Sequence, residues 1–191
     1  MAGQQAKIVN NDVLRRALKA VADTDTGLRD RVMILLSVKA GLRAGEIAGL
    51  TWSMVLDANH RVANSIAVRD DIAKKGSGRR VPIHPDLRKA VIALKRAGPC
   101  EGPLIRSARG GHLRANSLVN WFGALYRQLG ATGCSSHSGR RTFITHAARL
   151  AHRAGASLRD VQLLAGHRSI ETTQGYIDGD SEAQRRLVQS L

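Results

Sequence analysis

Residues 28–42, LRDRVMILLSVKAGL, limit the fold more than any other stretch of this chain. Leu28, Val32, Leu35 and Leu36 recur at helical spacing, and Met33, Ile34 and Val38 widen the stripe they make. A helix apolar over so much of its circumference is buried on most sides, so the other elements have to pack around it. Gly41 is placed to end it, since the position just past a helix often needs the left-handed backbone that glycine adopts freely. With 191 residues there is chain enough for one domain and a sizeable core, and a single domain over 1–191 is expected.

Around that helix the pattern is mostly α with a small antiparallel β-sheet. A first helix is expected from about Asn11, taken as N-cap, with Val13, Leu14, Ala17, Leu18 and Val21 on one face. A short helix follows over 44–50. Residues 61–68 alternate, with Val62, Ile66 and Val68 on one side, and RRVPIH (79–84) reads as a second strand whose Pro82 favours an edge. The KKGSG turn between them is basic. A helix opening at Pro85 or Asp86 closes at Gly98-Pro99, and a Gly- and Pro-rich loop leads to another that begins at Asn116 or Ser117 and ends before Gly130. The last third divides into helices over 138–153, 158–165 and 170–176, and residues 179–191 could add one more.

Thirty Lys and Arg against fifteen Asp and Glu give a net charge of +15. That excess attracts polyanions through its long-range field and through counterion release, which points to nucleic acid. Aromatics make up only 3% of the chain, so a single-strand binder built on base stacking is disfavoured and duplex backbone contact fits better. No apolar run could cross a bilayer and no h-region opens the chain, so a cytoplasmic, nucleoid-associated protein without membrane contact is expected. Cys100 and Cys134 stand far apart and form neither a disulfide framework nor a zinc motif. Asp70-Asp71 is the nearest approach to a metal-nuclease feature and stands alone. His60, His84, His112, His146 and His152 have no evident functional partners.

Several polar residues interrupt the core pattern. Arg43 follows the buried helix in AGLRAGEI, three residues before Glu46. His137 and Arg140 stand at a helix start in SSHSGRRTF, where two cations oppose the macrodipole and an anion close by would account for them. His167 and Tyr176 lie nine residues apart in LLAGHRSIETTQGYI. In this order, G-L-R-x-G-E-I, H-x-x-R, L-A-G-H-x-S and T-T-x-x-Y, the chain resembles the phage integrase, or tyrosine recombinase, family from about residue 11 to 180.

The resemblance implies the catalytic-domain fold of that family and a site of six residues acting on one scissile phosphate. By position these are Arg43, Lys74, His137, Arg140, His167 and Tyr176, with Lys75 as the alternative lysine and Glu46 supporting the first arginine. It further implies a site-specific DNA recombinase that cuts and rejoins strands through a 3′-phosphotyrosine intermediate, with neither metal nor other cofactor. A type IB topoisomerase-like enzyme and a noncatalytic DNA-binding regulator are the alternatives. The chemistry suits the residue types: guanidinium forks grip nonbridging oxygens, His137 takes the tyrosine proton, His167 donates to the phosphate, and Lys74 protonates the leaving 5′-oxygen.

Family members generally carry an N-terminal core-binding domain that clamps the opposite side of the DNA, and here it is expected to be absent. Other Arg and Lys residues, or an accessory DNA-binding protein, would have to supply that grip. Double-stranded DNA is the expected partner, held by a homo-tetramer that is a monomer when free. Residues 181–191, with Leu187, Val188 and Leu191, are the expected docking segment. Gly139 stands where the family has an apolar residue, and is expected to loosen the helix start before Arg140.

Overall fold

A computed structural model describes residues 6–177 together with 185, 188 and 189. Its helices are α1 (Asn11–Ala20), α2 (Gly27–Lys39), α3 (Ala44–Gly49), α4 (Pro85–Arg96), α5 (Ala115–Gln128), α6 (Ser138–Leu150), α7 (Leu158–Ala165) and α8 (Ile170–Gln174). Strands β1 (Ser65–Val68) and β2 (Arg79–Pro82) pair antiparallel, Ser65 opposite Pro82 and Val68 opposite Arg79. The architecture is mostly α with a small antiparallel sheet, as the patterning requires.

Helix α2 is the central element. Its side chains from Val32 to Leu36 are at most 1% exposed, because α4 and α6 pack against it and α1 and α3 flank it. Leu28 departs from the expected stripe: it sits in the first turn and is 42% exposed. Gly41 lies past the α2 C-terminus with φ of 65°, and the Phe143 ring occupies the space its Cβ would need. The large core joins α1 to α5 and the sheet, while a second, smaller cluster holds Ile144 on α6, Ala151 just past it, and Val161 and Ala165 on α7.

Several boundaries moved. The α1 cap is Asn10, not Asn11, its side chain accepting from the Val13 N–H at 2.8 Å. The first strand begins at Ser65 instead of residue 61, because Val62 pairs back with Leu56 as an isolated bridge. The second strand stops at Pro82, although the Ile83 N–H still bonds the Asn64 carbonyl at 2.9 Å. Helix α6 ends at Leu150 and gives way to a 3-10 turn over His152–Ala154, and α8 ends at Gln174, which leaves Tyr176 in a turn.

Gly139 does not loosen the start of α6. It is buried against α2, and an added Cβ would stand 2.1 Å from Ser37 Oγ and 2.9 Å from Ser37 Cβ. Glycine and serine there let two helix backbones approach closely. Asp70 serves the β-turn, accepting from the Gly78 N–H at 2.8 Å. His84 caps α4, and His112 Nδ1 lies 3.0 Å from the Ala48 carbonyl, so both have structural roles. Among the described residues no helix is long and apolar enough to cross a membrane, and no group of three His, Cys, Asp or Glu could hold a metal. Leu187 and Leu191 of the expected docking segment lie outside the described residues; Val188 is exposed.

Candidate active site

Arg43 is the N-cap of α3, where its backbone N–H and Nη1 both donate to the Glu46 carboxylate at 2.9 Å. Glu46 also receives Arg79, Nη1 to Oε1 at 3.0 Å and Nη2 to Oε2 at 2.9 Å. Burial pushes the Glu46 carboxyl up, but the hydrogen bonds and charges of Arg79 and Arg43 outweigh it and hold it below its ordinary value. It is therefore an anion with both oxygens engaged.

Arg140, in the first turn of α6, is 4% exposed. Its Nη1 donates to the Gly41 carbonyl at 2.7 Å, and its Nη2 to the Ala165 carbonyl at 2.6 Å and to His167 Nε2 at 3.0 Å. Burial and the neighbouring Arg43 lower its pKa to about 10, which leaves it charged at neutral pH. A guanidinium has no acceptor, so His167 Nε2 must offer a lone pair and the ring proton sits on Nδ1. From there it donates to Thr173 Oγ1 at 2.9 Å. Burial and the fields of Arg140, Arg43 and Arg79 push the His167 pKa down to about 4, so the ring is neutral at pH 7.

Tyr176 is half-buried and stacks on His167, with centroids 5.6 Å apart and planes 19° from parallel. A cavity of about 310 Å³ beside it is lined by His137, Arg141, Glu171, Thr172 and Gly175. Arg140, His167 and Tyr176 are thus in direct contact. Arg43 joins them through Glu46 and Arg79, whose Nε bonds the Leu164 carbonyl beside the Ala165 carbonyl that Arg140 holds. His137 is exposed and lines the same cavity as the tyrosine. Lys74 is on the exposed turn between the strands. Among the described residues its ammonium makes no hydrogen bond or ion pair, although its carbonyl accepts from Ser77 Oγ at 3.0 Å. The adjacent Lys75 has φ of 60° and gives its carbonyl to Arg168, tying the turn to the α7–α8 joint.

The residue missed in sequence is Arg79. Its side chain is 6% exposed, and its Nε donates to the Leu164 carbonyl at 2.8 Å. A signal existed: strand alternation puts Arg79 on the same face as buried Val81, and an inward-facing cation needs a carboxylate. Three guanidiniums against one carboxylate leave a net positive site, suited to a phosphoryl group gaining charge.

Comparison with known proteins identifies the family. The model of the phage integrase family matches residues 7–183. Tyrosine recombinase XerC of Rhodospirillum centenum is 36% identical over 161 residues, which cover 82% of this chain and 44% of that protein. XerC of Brucella suis is 33% identical over 160 residues, 81% of this chain and 47% of the relative. The chain spans about half the length of these curated relatives. The crystal structure of XerA recombinase superposes with a TM-score of 0.73 at 22% identity, covering all of this chain and 65% of that one. XerH, in a pre-cleavage complex with its difH substrate, gives 0.71 at 18% identity over 98% of this chain and 55% of that one. By sequence match over nearly its whole length, this chain belongs to the phage integrase family.

Proposed function

We propose that this chain is the catalytic domain of a site-specific recombinase, cutting and rejoining double-stranded DNA through Tyr176. The observation that carries the reading is the contact of Arg140 with His167 and of His167 with Tyr176, to which Arg43 is joined through Glu46 and Arg79. In this reading Arg43 and Arg140 hold the nonbridging oxygens of the scissile phosphate. The Tyr176 hydroxyl oxygen attacks phosphorus as His137 takes its proton, and the bond to the 5′-oxygen breaks as Lys74 protonates that oxygen. The product is a 3′-phosphotyrosine link and a free 5′-hydroxyl. Rejoining runs the same transfers backwards, so bond energy is kept within the phosphodiester. Burial and the arginine fields keep His167 neutral. A bound phosphate offsets the arginine fields, and the ring then takes a proton on Nε2, releases the Arg140 Nη2 contact and donates Nε2–H to the phosphate.

Four protomers on two duplexes, each monomeric when free, complete the proposal. An accessory DNA-binding protein is a candidate for the remaining grip. XerH in complex with its substrate supports the DNA assignment, as does the +15 charge. The test is trapping on a pool of nicked random-sequence duplexes, followed by sequencing of the attached DNA. A covalent adduct enriched for one sequence, and lost in Tyr176→Phe, is expected. An equal adduct in that variant would overturn the reading. Sequence-independent adducts with relaxation of any supercoiled plasmid would point to topoisomerase activity instead.

A further inference from the structure

Arg79 is none of the residues to which the family resemblance assigns a role, yet it is bound more completely than any of them. Its Nη1 and Nη2 are engaged on the Glu46 carboxylate and its Nε on the Leu164 carbonyl, so its hydrogen-bonding edges face protein partners. Its effect must pass through what it holds.

What it holds first is Glu46. The carboxylate is 1% exposed and accepts four hydrogen bonds, two from Arg79 and two from Arg43. Arg43 gives it one backbone N–H and one guanidinium nitrogen. Among the described residues Nε and Nη2 of Arg43 make no hydrogen bond, and its side chain is 24% exposed. A carboxylate and a guanidinium left to themselves pair through two parallel bonds, and such a pairing would turn Arg43 inward. Arg79 already occupies the fork position on Glu46, which limits Arg43 to a single side-chain contact.

What it holds second is the end of α7. Arg79 Nε bonds the Leu164 carbonyl, Arg140 bonds the next carbonyl at Ala165, and His167 follows two residues later. Gly166 between them has φ of 63°, and a Cβ there would lie 3.0 Å from Arg79 Nη1. The glycine leaves room for the guanidinium to pass.

We infer that Arg79 is a positioning residue: by filling the fork of Glu46 it leaves Arg43 an edge for the phosphate, and through Leu164 it sets that edge against the segment bearing His167. This rests on the reading of the site given above.

The test uses inorganic phosphate as probe and the His167 ring resonances in NMR as reporter, so it requires neither a target sequence nor cleavage. Wild type is expected to show a saturable shift. Arg79→Met should bind phosphate about tenfold more weakly, the size of one lost charge-assisted hydrogen bond. Arg79→Lys, which keeps the charge but not the fork, should fall between the two and covers the case in which the methionine variant does not fold. Adding Glu46→Gln to Arg79→Met should restore affinity to within about twofold, because a neutral amide no longer captures Arg43. A merely structural arginine predicts the opposite, a double variant weaker than either single one. That result overturns the inference, as does wild-type affinity in Arg79→Met, or a wild-type His167 that ignores phosphate. Absence of a Tyr176 adduct would overturn the recombinase reading while leaving this titration to stand or fall by itself.

Discussion

The two arginines and the tyrosine stand on parts of the molecule that are built differently. Arg43 and Glu46 rise from the large core, in which Leu35, Leu36, Leu42 and Ile47 are at most 1% exposed. Tyr176 packs against, and His167 closely follows, a cluster whose buried apolar members are Ile144, Ala151, Val161 and Ala165, two of them alanines. Leu163, on the same α7, is 54% exposed. Apolar burial stabilises roughly in proportion to area, so the second cluster is held by far less of it. Arg43, proposed to grip phosphate, is thereby anchored to the larger core, and Tyr176, the proposed nucleophile, to the part that opens at lower cost.

Five perturbations sharpen or break that contrast. The largest is Glu46→Ala, which strands Arg79 in a buried site and should cost about 3–5 kcal/mol in urea unfolding. Next, Leu36→Ala should cost about 2–5 kcal/mol and lower hydrogen-exchange protection throughout the chain. Val161→Ala removes two buried methyl-sized groups, about 1.5 kcal/mol, and its loss of protection should stay within α7 and α8. Equal global effects from these two would erase the distinction. Gly139→Ala should cost about 1–3 kcal/mol through overpacking, with Ser37→Gly in the same chain recovering part of it. The smallest effect is a pH slope. His167 titrates near 4 when folded against an ordinary 6.5, so protons favour the unfolded chain between those values. Stability from this group is complete above pH 6.5 and declines toward pH 4, and His167→Gln should show a shallower decline.

Elements built on long periodic runs were legible in sequence. Helix α2 announced itself because its stripe is too wide to face water, and Gly41 because one backbone conformation favours glycine. Boundaries slipped where tertiary contacts compete with local pattern, as at Val62, which prefers a bridge to Leu56 over extending β1. The grouping of Arg43, Arg140, His167 and Tyr176 followed from motif order. Arg79 did not, because its partners Glu46 and Leu164 lie 33 and 85 residues away, and no local spacing encodes such a contact. Gly139 was misread for the same reason: its neighbour across the helix interface is Ser37.

Arg140 touches Gly41 on one side and Ala165 and His167 on the other. It bridges the two clusters. In the proposed reaction, strand cutting is therefore conditional on the C-terminal helices being packed against the large core, a dependence written into two backbone carbonyls.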